Sequence, residues 1–464
     1  MEVPTFDNRI EFDSEDEEDE VINTRRIGLL CSLVAVQQLR RMRRPKARQK
    51  ANVISRHRRT VSSIFYELGS MSERYFRMSE RSFWKLHELL RCQIALELEQ
   101  KVDSAHRKRR ESPCKTAPNG LISTSVRLAA ALRYFAGGSS LDLALVFGIS
   151  HKDVMKSVWS VVDAINKTAD LAIVYPECHN IQTEIANGFK SKSTAGFGNC
   201  AGAIDGMLVW IQRPSSTDVK KMSVGPRKFY CGRKKKFGMN LQAVCDAQRR
   251  FLDVSCMYPG AMSDYLSFKT SSLFHKLETG TFLKPGLALF GDNAYVSNGY
   301  MVTPFKAVSS GPKDAYNFYQ SQTRIAIECA FGMLVQRWGM LRKAIPPNVS
   351  LAKTSAIIAA LCKLHNFCID EKMPEMSAQD ELNIDIEGGF SIAPTPSPRA
   401  VSDVPRPSAL LDGNELPRDD FDRAAMTREE RMAERNTTGP LPRDTLLQIV
   451  EENNLQRIVP ADWR

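Results

Sequence analysis

Apolar positions recur at two spacings along this chain, and the change from one to the other falls near Gly196. Between about Ser79 and Lys167 the spacing is helical, with Phe83, Leu86, Leu89 and Leu90 sharing a face. It predicts further helices over residues 125 to 136, 140 to 147 and 152 to 166, separated by Gly137-Gly138 and by Gly148-Ile149-Ser150. Ser150 suits an N-cap and Gly148 a tight turn. Two arrangements meet that punctuation: a helix-turn-helix whose last helix presents His151, Lys152 and Lys156 to DNA, and an ordinary corner of a helical bundle.

Beyond Gly196 the period shortens to that of strands. Ala201 to Ile211, Phe237 to Cys245 and Phe251 to Tyr258 predict an antiparallel meander, the last two joined by the polar turn Asp246-Ala247-Gln248-Arg249. Ser263 to Leu277 predicts a helix, Leu287 to Phe290 a short buried strand and Gln320 to Leu341 a long helix. Such a succession builds an α/β fold, a mixed sheet flanked by helices. The chain then divides into a disordered N-terminal stretch over 1–60, a helical, helix-turn-helix-like region over 61–170, the sheet domain over 195–371, and a low-order tail over 372–464. The tail is proline-rich, with short helical stretches at 420–435 and 443–453.

Three carboxylates fall in this pattern where solvation alone does not explain them. Asp205 lies among Ile204, Met207, Leu208, Val209 and Trp210, and Asp292 follows the run Leu287 to Gly291 directly. Glu328 sits about 80° from the centre of the stripe Ile327, Phe331, Leu334, Trp338 and Leu341, at the edge of a buried face. Each has an ordinary alternative, Asp292 as a turn residue and Glu328 as the i,i+4 partner of Arg324. An ionised carboxylate in an apolar strand needs a cation or hydrogen bonds, and a divalent ion shared by three acids supplies one. Hard oxygen ligands select Mg²⁺ or Mn²⁺ over zinc, and two such ions about 4 Å apart suit phosphoryl transfer.

Charge points to a polyanionic partner. The 464 residues carry a formal net charge of +11 although Glu11 to Glu20 holds eight acids, so the remainder is more basic than the total. Between Arg213 and Lys236 lie nine cations (Arg213, Lys220, Lys221, Arg227, Lys228, Arg233, Lys234, Lys235 and Lys236) against Asp218 alone, with Phe229 and Tyr230 among them. Cations beside rings suit a nucleic-acid backbone and its bases; a solvated loop is the alternative. Arg40, Arg41, Arg43, Arg44, Lys46, Arg48 and Lys50 form a second cluster, of the kind that marks nuclear localisation, nucleic-acid contact or a solvated helix face.

Eleven cysteines without a Cys-x-x-Cys pair fit a reduced intracellular protein. Cys362, His365 and Cys368, at helical spacing in an apolar run, fit core packing better than zinc ligation. The opening residues are acidic, unlike a secretory signal, and the apolar run Ile27 to Val36 is too short to span a bilayer.

Six strings in one order carry a family likeness: CAGAIDG (200–206), YCGRKKKFGMNLQAVCDAQRRFLDV (230–254), YPGAMSD (258–264), GDNAY (291–295), RIAIECAFGMLVQRWGML (324–341) and LHNFCID (364–370). Together they resemble the DDE nuclease domain of PIF/Harbinger-type transposases over about residues 195–371, and the helical block before them looks like that family's N-terminal region. The resemblance implies an RNase H-like fold with Asp205, Asp292 and Glu328 as a metal-binding DDE triad that cuts DNA and joins ends. It also implies a separate Myb-like DNA-binding partner. The 35 residues between Asp292 and Glu328 suit the family pattern. Asp246 and Asp264 match too, Asp246 as a shaper of the hairpin turn and Asp264 as a helix cap or a support for the site. The chain departs from the family at Gly206-Met207-Leu208, where Gly-Thr-His is frequent, and at Asn293, where a small residue is common.

The expectation is therefore a nuclear, metal-dependent DDE endonuclease or transposase that acts on DNA, without a membrane anchor and with room for an oligomer. Its rival from another class is a catalytically silent, transposase-derived DNA-binding or chromatin protein. A third reading is a plain metal-dependent nuclease with no strand-transfer step.

Overall fold

Alternation in the sequence becomes a sheet in the computed structural model, which describes residues 57–108, 121–221, 225–308, 310–346, 349–375, 431–432 and 440–458. Its strands are β1 (Cys200–Trp210), β2 (Tyr230–Cys231), β3 (Lys236–Cys245), β4 (Phe251–Pro259), β5 (Ala288–Phe290) and β6 (Met301–Val302). As predicted, β1, β3 and β4 form an antiparallel meander. On its other edge β1 pairs in parallel with β5, and β5 with β6, while β2 folds back antiparallel on the start of β3. The order β4-β3-β1-β5-β6 puts the longest strand in the middle of a mixed, RNase H-like sheet. Asp246 shapes the β3–β4 turn as expected: its Oδ1 accepts from the backbone N–H of Gln248 at 2.8 Å and of Arg250 at 2.9 Å.

Before the sheet come α1 (Val61–Leu68), α2 (Ser72–Phe76), α3 (Glu80–Lys108), α4 (Thr124–Phe135), α5 (Ser140–Phe147), α6 (His151–Lys167) and α7 (His179–Lys190). Ser150 caps α6, its hydroxyl accepting from Asp153 N at 3.1 Å, and Gly148 takes the left-handed conformation at φ 63°. A Cβ on Gly148 would lie 2.0 Å from the carbonyl oxygen of His57, so close approach as well as φ requires glycine. Helix α7 falls in an interval to which the sequence pattern assigned no element. The helical region shares its core with the sheet domain: Phe135 meets Trp338 edge-on at 6.4 Å, and Asn166 Nδ2 donates to the Ala356 carbonyl at 2.9 Å.

The remaining helices are α8 (Ser216–Lys221), α9 (Asp264–Lys269), α10 (Ser272–Leu277), α11 (Pro312–Arg337), α12 (Leu351–Asp370) and α13 (Pro442–Glu452). The single helix expected over 263–277 is two, because the hydroxyls of Ser263 and Ser271 each cap a new start. Helix α11 begins at Pro312, ahead of the predicted Gln320, since proline at the first turn opens a helix before the apolar stripe begins. It ends at Arg337, where Trp338 leaves helical dihedrals and Gly339–Arg342 tighten into a 3₁₀ turn. The stripe Ile327, Phe331, Leu334, Trp338 and Leu341 is buried throughout.

Cys362, His365 and Cys368 of α12 lie in the core. His365 donates from Nε2 to the Arg249 carbonyl at 2.9 Å and packs its ring 4.7 Å from that of Phe251. Helix α13 forms within the expected tail, buries Leu446 and Val450, and is followed by Gln456, whose carbonyl accepts from Tyr319 of α11 at 2.8 Å. The expectations for residues 1–56, including the Arg40 to Lys50 cluster, and for most of the 372–464 tail, including 420–430, lie outside the described residues.

Candidate functional site

Register brings the two aspartates to one end of the sheet. Ala203 of β1 stands opposite Phe290 of β5 in the parallel pair; Asp205 follows two residues on within β1, and Asp292 follows two residues on from Phe290. Because strand side chains alternate, Asp205 continues the face occupied by Ala203, the face that α11 covers. Asp292 lies just past the end of β5, and its Oδ1 accepts from Ala294 N at 2.9 Å, which turns the chain at the sheet's end. Helix α11 is pinned above that end by Gln320, whose Nε2 donates to the Gly291 carbonyl at 2.8 Å. One and two turns further on, the same helix carries Arg324 and Glu328.

Arg324 ties the third acid to the first. Its Nη1 donates to Asp205 Oδ2 at 3.1 Å, and its Nη2 forms an ion pair with Glu328 Oε1 at 2.6 Å. Thus the helix ion pair foreseen for Glu328 forms, and it extends to the β1 aspartate. Burial pushes the Asp205 carboxyl up to about 7; Arg324 and the Gly206 N–H pull against that shift, while the charges of Asp292 and Asp264 reinforce it. The donors are all carboxylate oxygens, and they hold more negative charge than one guanidinium balances, which is the chemistry that a hard divalent cation fits. Asp205, Asp292 and Glu328 are the residues that would hold it. Among the described residues, however, no three His, Cys, Asp or Glu side chains are gathered closely enough to enclose an ion, since Arg324 occupies the space between two of the acids.

A polar network stands behind Asp205, on the other face of the sheet. Asp264 at the start of α9 accepts at Oδ1 from Asn240 Nδ2 at 2.8 Å and from Gln242 Nε2 at 3.1 Å, and the Tyr295 hydroxyl donates to Gln242 Oε1 at 2.7 Å. Ser263 is the helix cap, and Asp264, in the first turn, faces these amides instead. The sequence pattern did not single out Asn240, Gln242 or Tyr295. The signal was available in β3, where Asn240 and Gln242 alternate with Met239, Leu241 and Ala243 and therefore share a polar face. Gly206 leaves room for this network: a Cβ there would lie 2.0 Å from Asp264 Oδ1 and 2.6 Å from Gln242 Nε2. Gly206→Ala is expected to lower stability by about 1–3 kcal/mol in urea unfolding. Its cost should be less than additive with that of Asp264→Ala, because both break the same contacts; full additivity would contradict this.

The basic residues divide. Arg227, Lys228, Arg233, Lys234 and Lys235 are exposed around the β2–β3 hairpin, and Lys236 lies over the Trp210 ring at 3.2 Å. Tyr230 is exposed, whereas Phe229 is fully buried, so of the two rings expected to meet bases only Tyr230 is available. The core claimed Phe229 because the 3₁₀ turn Pro226–Phe229 directs it inward. Lys152 and Lys156 are exposed on the first turns of α6, with Lys156 paired to Asp153 at 3.1 Å. The side chains of Lys220 and Lys221 lie outside the described residues. Among the described helices none is long and apolar enough to cross a membrane.

Comparison with known proteins gives a family likeness. Residues 204–366 match the family model described as DDE superfamily endonuclease. The chain is 28% identical over 275 residues to Protein ALP1-like of Arabidopsis thaliana, a match covering 56% of this chain and 64% of that protein. It is also 28% identical over 283 residues to the Arabidopsis thaliana protein named Antagonist of Like Heterochromatin Protein 1, covering 56% and 68%. The protein named Putative nuclease HARBI1 of Bos taurus is 27% identical over 261 residues, covering 55% and 70%. The chain thus spans just under two thirds of the first of these relatives. No solved structure matches it.

Proposed function

We propose that this chain, whose residues 204–366 match the DDE superfamily endonuclease model, is a Harbinger-type nuclease that cuts phosphodiester bonds in DNA with divalent cations held by Asp205, Asp292 and Glu328. Joining of the cut ends by strand transfer belongs to the same proposal. The observation that carries it is the placement of Asp205 on β1 and of Asp292 just past the end of the neighbouring parallel strand β5, with Glu328 linked to Asp205 through one guanidinium. Mg²⁺ or Mn²⁺ bound there would activate the attacking oxygen and stabilise the leaving one.

The chain's own residues do the remaining work. Asp205 is fixed in place by its strand and by the Gly206 N–H at 2.7 Å, while Asp292 is oriented by Ala294 N. Glu328 is the adaptable member, with a side chain 47% exposed on a helix edge, against 19% for Asp205. Past Asp205, β1 runs five more residues to Trp210, which carries Lys236 on its ring. At the rise of a β-strand this places the basic hairpin roughly 17 Å from Asp205. That is about five nucleotides along a strand, so in this reading Arg233, Lys234 and Lys235 hold the backbone flanking the scissile bond.

The test uses the purified full chain, supercoiled plasmids with and without candidate terminal repeats, and Mg²⁺ or Mn²⁺. Nicking that depends on the cation and stops with EDTA is the expected result. DNA binding with no cleavage under any of these conditions would instead favour the reading as a silent DNA-binding protein. That reading draws on Arg324, which already satisfies Asp205 and Glu328 without a metal.

A further inference from the structure

Arg324 stands where two of the acids would have to meet a cation. Its side chain is only 14% exposed, and both nitrogens of its fork are committed, one to Asp205 and one to Glu328. Both oxygens of Asp205 are engaged, Oδ1 accepting from Gly206 N and Oδ2 from Arg324. A divalent ion approaching Oδ2 would meet the guanidinium as a like charge in a partly buried space, where repulsion is weakly screened. Removing the guanidinium without replacing it leaves two carboxylates facing each other, which is also unfavourable.

We infer that Arg324 is a positioning residue, a resident counter-ion that holds Asp205 and Glu328 together before a divalent cation arrives and competes with that cation for them. The inference rests on the proposed metal-binding role of Asp205 and Glu328. Helix geometry supports it: Arg324 and Glu328 are one turn apart on α11, so the arginine is anchored beside the acids whichever cation they hold. Its long, flexible stem lets the fork leave Asp205 without moving the helix.

The experiment is Mn²⁺ binding to the full-length, chelator-stripped protein, followed by titration calorimetry and by the loss of the free-ion electron spin resonance signal, for wild type, Arg324→Gln and Arg324→Lys. Arg324→Gln keeps a hydrogen-bond donor and removes the charge. It is expected to bind Mn²⁺ roughly tenfold more tightly than wild type, the scale of a lost charged hydrogen bond, with Arg324→Lys close to wild type. Without metal, Arg324→Gln should melt lower than wild type, and Mn²⁺ should close that gap. A folded Arg324→Gln that binds Mn²⁺ no more tightly than wild type overturns this inference alone, as does an unfolded Arg324→Gln that Mn²⁺ fails to restore. Mn²⁺ bound by none of the three proteins overturns it together with the metal-dependent reading of the site.

Discussion

Asp205→Asn is expected to abolish cation-dependent DNA cleavage while leaving the fold in place. The substitution conserves shape but keeps one acceptor oxygen where the carboxylate has two, so it serves the Gly206 N–H or the Arg324 fork and not both, while the strand pairing of β1 keeps it seated. What it removes is the negative charge at an acid that is less exposed than Glu328. A catalytic cation contributes several kcal/mol of charge stabilisation in the transition state, and at about 1.4 kcal/mol per decade its loss slows cleavage about a thousandfold or more. Asp292→Asn should cost as much. Glu328→Gln should cost less, because its more exposed carboxylate is partly replaceable by water. The three losses should not multiply, since residues that serve one ion fail as a unit. Plasmid nicking rates, with circular dichroism to check the fold, measure this; cleavage that survives all three substitutions would remove the triad from the mechanism.

How much of this was legible in the sequence depended on whether a residue's partner lay near it in the chain. Asp205 and Asp292 stood out because an apolar strand surrounds one and precedes the other, and strand register then made them neighbours. Helical phase alone put Glu328 at the edge of a buried face. Arg324 was visible only as a local i−4 partner, because its second bond crosses 119 residues to Asp205, and no periodicity records such a contact. The same holds for Asp264, which sits 22 and 24 residues from the amides that hold it. Phe229 failed the other way: its neighbours in sequence are basic and exposed, yet a single 3₁₀ turn sends its ring into the core. Helix α7 escaped because its apolar residues are sparse, Ile181, Ile185, Ala186 and Phe189 among polar ones, and packing against β1 rather than pattern strength holds it.

His365 is expected to make the metal-free protein sensitive to mild acid. Burial holds its imidazole down to about 4, the hydrogen bond to the Arg249 carbonyl acts in the opposite sense, and the nearby Arg337 and Arg250 add to the depression. An unfolded chain protonates this ring near 6.5, so between about pH 6.5 and pH 4 the unfolded state binds the extra proton. The stabilisation is therefore complete above pH 6.5 and drains away as pH falls toward 4, by roughly 3 kcal/mol in all. Two buried carboxyls act in the opposite sense. Asp205, raised to about 7, and Asp253, raised to about 6 by burial against the pull of Lys276, both favour the folded state once protonated, so their contributions grow as pH falls. Wild-type stability alone would blur the three. The difference between wild type and His365→Gln isolates the histidine, because glutamine retains a donor for the Arg249 carbonyl and has no proton to gain. Urea unfolding in EDTA should show wild type exceeding His365→Gln at pH 7.5 and losing that advantage by pH 4.5. A difference that stays constant with pH would mean that the ring titrates alike in the folded and unfolded chain.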